Sequence, residues 1–215
     1  MIKAVIFDLD GTILNTIYDL NNSLNYALRH FNKKEITLDE TKAFIGNGIK
    51  KLCERALKNN DLDILDDLYN EMINHYYKNY NVSTKKYDYI DEIINFIKSK
   101  NLIIGVLSNK KEEVLIKLVK EQFNDSFDFI IGDMGIRKPD PYNINKVAKE
   151  YNIKNDEILY IGDSDVDIKT VFNAKCKGCF VSYGYRSYND LKNSGADPIL
   201  RTPLELFNYL KKCLL

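Results

Sequence analysis

Histidine is scarce in this 215-residue chain, and the scarcity is the first constraint on its chemistry. With only His30 and His75, hydrolytic schemes and zinc sites that need several imidazoles are excluded, and both rings are expected on helix surfaces. Cysteine is almost as sparse, at positions 53, 176, 179 and 213. Cys176-Lys177-Gly178-Cys179 has the C-x-x-C form, but no second pair exists to complete a zinc site. Nor does the pair open a helix, as redox pairs do. It straddles a glycine ahead of the apolar Cys179-Phe180-Val181, so small buried thiols are expected. Neither sign of charge is in excess, with 31 basic and 31 acidic side chains, which argues against nucleic acid or membrane partners and against an acidic disordered tail. No apolar run approaches the length of a membrane span. Met1–Phe7 has neither the apolar region nor the small-residue cleavage site of a signal peptide, so a cytoplasmic protein, monomer or homodimer, is expected. Internal repeats, low-complexity tracts and proline-rich linkers are also missing.

An apolar content of 45% and a charged content of 29% are ordinary for a globular chain, and the length allows one large domain or a core with a smaller insert. The organising stretch is Met1–Thr16, MIKAVIFDLDGTILNT. Ala4–Phe7 is a continuous apolar run that ends in Asp8, with Asp10, Gly11 and Thr12 following, the pattern of a buried parallel strand and its turn. In open α/β sheets the ligand crevice lies beyond the carboxyl ends of the strands, which places Asp8 at its edge. Two acids so close need a cation or separated pKa values. The stretch therefore suits a Mg²⁺-assisted aspartyl nucleophile paired with an acid/base, and equally a solvated turn.

From Ile17 the apolar spacing becomes helical: Ile17, Leu20, Leu24, Ala27, Leu28 and Phe31 form one face. Thr37 and Glu40 make a capping box for a second helix, which ends at Gly46-Asn47-Gly48. Ile49–Leu57 and Asp61–Tyr80 read as two further helices, so residues 16–81 are expected to form an all-helical insert. Beyond Tyr89, helices alternate with apolar strands at Leu102–Leu107, Phe127–Ile131, Ile158–Ile161 and Cys179–Ser182, with a short last strand at Pro198–Leu200 and a helix at Leu204–Leu214. That alternation means βαβ units and a Rossmann-like parallel α/β sheet, formed by residues 1–15 and 82–215. Asp8 and Asp10, Ser108 and Asn109, and Asp163 and Asp167 all follow strands, so one crevice is expected to hold them. Lys138 joins them from a rigid turn in Arg137-Lys138-Pro139-Asp140-Pro141, with Pro141 near the first position of a helix. Its ammonium would neutralise Asp8 and an incoming phosphate. Asp163-Ser164-Asp165-Val166-Asp167 offers oxygen ligands to a hard cation such as Mg²⁺, but lacks the glycine and glutamate of an EF-hand.

In this order, Asp8-Leu9-Asp10-Gly11-Thr12, Ser108-Asn109, Lys138-Pro139 and Gly162-Asp163 through Asp167, the chain resembles a haloacid dehalogenase superfamily phosphatase with a helical cap between its first two motifs. The resemblance implies that Asp8 is the nucleophile and Asp10 the acid/base. It implies substrate binding by Ser108, Lys138, Gly11 and Thr12, with Asn109 in the same motif. It also implies Mg²⁺ held by the Asp8 side chain, the Asp10 backbone carbonyl and Asp163, with Asp167 beside it. Gly11 and Thr12 are expected to shape the turn and to offer free N–H groups to phosphate. Asn15 stands where the family often has an acid, and Asp165 is read as a solvent-facing loop acid. The stretch Phe44 to Leu57, Tyr183-Gly184-Tyr185-Arg186 and Ser194-Gly195-Ala196-Asp197 are similar to phosphoglycolate phosphatases. Gly46, Asn47 and Gly48 could present N–H groups to a small anionic substrate at a helix start, or simply separate two helices. Related caps serve pyrophosphate and sugar phosphates, and a phosphosugar mutase would use the same core. A receiver domain shares the acids, the hydroxyl and the lysine, but carries its phosphorylated aspartate on a later strand.

Overall fold

In the computed structural model, which describes residues 1–58 and 61–214, the apolar run Ala4–Phe7 is strand β1, buried along its whole length. The described chain divides into two compact units, residues 1–14 with 86–215, and residues 15–85. Two-residue strands mark the passages between them: β2 is Leu14–Asn15 and β3 is Lys85–Lys86. Such short strands carry no alternation signal, and neither is expected from sequence.

The unit of residues 15–85 is helical: α1 (Ile17–His30), α2 (Leu38–Phe44), α3 (Ile49–Ala56) and α4 (Leu65–Asn79), with a short 3₁₀ turn over Leu62–Ile64. The fourth helix is therefore shorter than expected. Its apolar face, Leu68, Met72 and Tyr76, is fully buried with Leu20 and Leu24 of α1 and Leu52 of α3. Thr37 and Glu40 form the capping box, at 3.1 and 2.9 Å. The unit extends to Lys85 rather than Asn81, for a physical reason. The buried Asp19 carboxylate accepts from the N–H groups of Ser83 and Thr84 and from the Thr84 hydroxyl, tying that segment to α1. His75 is not the surface residue expected: it is half-buried, hydrogen-bonded to Ser23 Oγ at 3.0 Å and stacked on Tyr26.

After β3 the chain alternates: α5 (Ile90–Ser99), β4 (Ile103–Lys111), α6 (Glu112–Phe123), β5 (Phe129–Asp133), α7 (Tyr142–Glu150), β6 (Ile158–Gly162), α8 (Asp165–Ala174), β7 (Lys177–Val181), α9 (Tyr188–Asn193), β8 (Ile199–Leu200) and α10 (Pro203–Cys213). The short α9, six residues long, is not expected from sequence. The strands form a six-stranded sheet, β5-β4-β1-β6-β7-β8, with every pair parallel. Ala4 and Ile6 face a core built with Ile144, Val147, Ala148 and Ala174 from α7 and α8. Val5 and Phe7, also fully buried, point to the opposite face by strand alternation.

Strand order reverses between β1 and β6: the chain builds outward through β4 and β5, then crosses to the other side. That switch point is where doubly wound sheets open a crevice at the strands' carboxyl ends. The register aligns the ends, with Phe7 opposite both Val106 and Ile161. The residues one step further are Asp8, Leu107 and Gly162, so the three motifs meet at one level.

Candidate active site

Asp8 leaves β1 with its side chain 10% exposed and its Oδ1 2.9 Å from Lys138 Nζ. The same ammonium reaches Asp167 Oδ1 at 2.7 Å and the Tyr160 hydroxyl at 2.8 Å. Burial would lower the pKa of Lys138, but Asp167 and Asp8 outweigh it and hold the lysine charged. For Asp8 the balance goes the other way. Burial, with Asp167 and Asp10 nearby, pushes its carboxyl up to about 7 despite Lys138.

Asp167 sits where it does because of a local helix signal. Ser164 caps α8, Asp167 is the third helical residue, and its Oδ2 accepts from the Ser164 N–H and hydroxyl at 3.0 and 2.6 Å. Its Oδ1 accepts from Lys138 and from Tyr160 at 3.0 Å. Both oxygens are thus engaged, and the side chain is fully buried. Asp165, by contrast, opens α8 half-buried, 3.6 Å from Arg186 and 3.7 Å from Lys169, outside this cluster.

Asp163 follows β6 and is held from a direction that sequence did not indicate. Its Oδ2 accepts from the Tyr185 N–H at 2.6 Å, and Thr12 Oγ1 lies 3.5 Å from its Oδ1. The segment Tyr183–Arg186 lies directly against the first motif, with the Tyr183 hydroxyl donating to the Thr12 carbonyl at 2.9 Å. A side chain on Gly184 would collide with the Gly11 carbonyl and Asp163. One on Gly11, whose φ is +87°, would collide with Asp163 and Tyr185. Burial, together with Asp167 and Asp8, pushes the Asp163 carboxyl well above its ordinary value.

Asp10 lies in the turn beyond β1, and both its oxygens meet Lys110 Nζ, at 2.8 and 3.1 Å. Lys110 is buried and was not singled out from sequence, where it reads as one of many lysines after a strand. Its signal is position, since it continues an apolar strand whose next residues are already committed to the crevice. Ser108 and Asn109 lie within β4 rather than after it, because the strand runs on to Lys111 with a register shift beyond Leu107. Ser108 is buried at the crevice. The Asn109 side chain accepts from the Lys138 N–H at 2.7 Å and donates to the Lys138 carbonyl at 3.0 Å, so it fixes the lysine's turn. Pro141 is the N-cap of α7 rather than its first residue. The N–H groups of Gly11 and Thr12 are not free as expected: they donate to Leu14 and Leu9 carbonyls inside the turn, at 2.9 and 3.2 Å.

Gly46, Asn47 and Gly48 belong to the helical unit. Gly46 and Gly48 take φ of +120° and +86°, and Gly48 caps α3. Arg55 of α3 holds the loop, donating to the Asn47 Oδ1 at 2.9 Å and to the Phe44 carbonyl. The C-x-x-C residues form no bridge, and all four cysteines are free. Cys179 is wholly buried, as expected, whereas Cys176 is half-buried, with its thiol pushed up to about 12 by that burial.

Asp8, Asp163 and Asp167 each offer an oxygen within 4.8 Å of the others, and all three are buried. Burial first, and the neighbouring carboxylates second, raise Asp8 and Asp163 despite the Lys138 ammonium at Asp8 and the Arg186 guanidinium near Asp163. A hard divalent cation with oxygen ligands fits this donor set.

The comparisons with known proteins agree with the geometry. The haloacid dehalogenase-like hydrolase family model matches residues 5–181. A phosphoglycolate phosphatase of Nitrosospira multiformis is 29% identical over 98% of this chain and 96% of its own length. A phosphoglycolate phosphatase of Thiobacillus denitrificans is 32% identical over 86% of this chain and 85% of its own length. Among solved structures, a Lactobacillus delbrueckii subsp. bulgaricus protein assigned to the phosphoglycolate phosphatases superposes with a TM-score of 0.88 at 31% identity, covering 97% of this chain and 98% of that one. Parallel sheet, switch-point carboxylates and family match lead to one statement: the chain belongs to the haloacid dehalogenase-like hydrolases.

Proposed function

We propose that this hydrolase is a phosphatase of small phosphomonoesters, of the phosphoglycolate phosphatase kind, working through an aspartyl-phosphate on Asp8. The observation that carries the reading is the buried carboxylate cluster at the switch point, with Asp8 held 2.9 Å from Lys138. An ionised Asp8 oxygen attacks phosphorus, and the bond to the leaving alkoxide breaks as the new O–P bond forms. Asp10 gives its proton to the leaving oxygen. Water then enters: Asp10 takes its proton, the water oxygen attacks phosphorus, and the Asp8–phosphorus bond breaks to release phosphate. The Ser108 hydroxyl donates to a phosphoryl oxygen, and Lys138 offsets the charge of phosphate and nucleophile. Tyr160, Asp167 and Asn109 keep the Lys138 side chain and backbone in place. Mg²⁺, held by the Asp8 and Asp163 carboxylates and the Asp10 carbonyl with Asp167 beside it, would supply the positive charge that lets one anion approach another.

Relatives named for phosphoglycolate, matched over most of their length, support that substrate. Free cysteines throughout suit a reducing compartment, and we place the enzyme in the cytoplasm. Among the described residues no helix is long and apolar enough to cross a membrane. A phosphate-release screen with Mg²⁺ tests the reading on phosphoglycolate, pyrophosphate, hexose phosphates and nucleotides. Release from phosphoglycolate above the rest is expected. Isomerisation of a hexose phosphate without phosphate release would replace the reading with a mutase.

A further inference from the structure

We propose that Lys110 is the positioning residue for the Asp10 carboxylate, as Lys138 is for Asp8. The inference rests on the reading of Asp10 as acid/base, and it goes beyond the residues that reading uses. Lys110 has its side chain 3% exposed, and a buried ammonium persists only where a partner compensates its lost hydration. That partner is Asp10, met at both oxygens, at 2.8 and 3.1 Å. A contact to both oxygens sets the plane of the carboxylate as well as its distance. The backbone of Asp10 is fixed just beyond β1 by a bridge to Leu14, and the contact with Lys110 orients its side chain, which is 15% exposed.

Neighbouring cations do other work. Lys138 is engaged with Asp8, Asp167 and Tyr160. Lys111, next along β4, points the other way: its side chain is 41% exposed and its ammonium lies 3.4 Å from Asp133. Strand alternation at the end of β4, inside the register shift between Leu107 and Lys111, therefore sends one lysine into the crevice and the other out. Asp10 keeps the proton transfers, and Lys110 sets where that carboxylate stands when they occur. Misplacing a catalytic group by about an ångström can cost on the order of 100-fold in rate.

The test compares Lys110→Met, Lys110→Arg, Asp10→Asn and the Lys110→Met/Asp10→Asn double variant on phosphoglycolate and p-nitrophenyl phosphate, with thermal melts for folding. Nitrophenolate leaves without a proton, so its pre-steady-state burst reports attack by Asp8 without help from Asp10, whereas turnover still needs Asp10 to activate water. Lys110→Met should lower kcat on phosphoglycolate about 10- to 100-fold with KM changed less than about 3-fold. It should leave the nitrophenolate burst rate near wild type, and should cost less than about 2-fold once Asp10 is already Asn. Lys110→Arg, which keeps the charge, should recover most of the turnover and carries the comparison if the Met variant does not fold. A slowed burst with raised KM would overturn the inference, making Lys110 a phosphate-binding lysine. So would full additivity with Asp10→Asn. If Asp10→Asn itself turns over normally, the acid/base reading falls first and this inference with it; a slow Asp10→Asn beside a normal Lys110→Met removes this inference alone.

Discussion

The carboxyl edge of the six-stranded sheet and the helical unit of residues 15–85 both bury polar side chains, but they satisfy them differently. In the helical unit the partners are largely backbone. Asn25 accepts from the Ile36 N–H and donates to the Ile36 carbonyl, both at 2.9 Å, while Asn21 reaches the Ile36 carbonyl and Thr41. Asp19 accepts from the N–H groups of Ser83 and Thr84. At the sheet edge the partners are other ionisable side chains: Asp8 with Lys138, Asp167 with Lys138 and Tyr160, Asp10 with Lys110. Polar side chains matched to main chain hold a shape. Buried charges in a cluster with surplus acid hold a potential, which a cation and a phosphate can use.

Substitutions at the two places should separate chemistry from stability. Asp8→Asn is expected to lower phosphatase turnover on the order of 10⁴-fold or more, measured by phosphate release. The same variant should alter the pH dependence of stability in metal-free protein. The folded pKa of Asp8, about 7, lies above its ordinary 3.8. Between those values the folded state keeps a proton that the unfolded state has lost. The wild type should therefore lose stability as pH rises from about 4 to 7, relative to Asp8→Asn, and stay at that deficit above 7. Urea melts of both proteins at several pH values read the difference. Chelation of Mg²⁺ with EDTA should silence the enzyme and Mg²⁺ should restore it; turnover indifferent to chelation would remove the cation from the scheme.

In the helical unit, Asp19→Ala should instead destabilise by about 2–4 kcal/mol, since it strands several donors at Ser83 and Thr84, with the loss read from urea midpoints. A further effect is expected at Gly184. A Cβ there meets the Gly11 backbone carbonyl as well as Asp163, so Gly184→Ala should lower the melting temperature of the metal-free protein and also weaken Mg²⁺ binding about 10-fold by calorimetry. Smallest of all, Cys176→Ser should change stability by less than about 1 kcal/mol and leave kcat within about 2-fold.

Much of this is legible in the chain alone. The apolar run ahead of Asp8, the capping box at Thr37 and Glu40, and the strand–helix alternation after Tyr89 are local patterns, and each marks a real element. Asp167 is also a local matter, since Ser164 and Asp167 form their own helix cap. The elements that went unforeseen are too short for periodicity to register: β2, β3 and α9. The site residues that went unforeseen meet their partners from far along the chain. Lys110 finds Asp10 from 100 residues away, and Tyr185 finds Asp163 across a separate strand.

The amino-acid sequence by itself determined the strands of the six-stranded sheet, their order of appearance and the acids at their ends, because periodicity, caps and turn residues act over a few positions. Only the tertiary structure decided that Lys110 serves Asp10, and that Lys138, expected beside Asp8, serves Asp167 as well. It decided also that the Gly11 and Thr12 N–H groups close their own turn, and that Tyr183–Arg186 stands against Asp163. The reason is distance: electrostatics and close packing depend on ångströms in space, and the alignment of β1, β4 and β6 sets those ångströms.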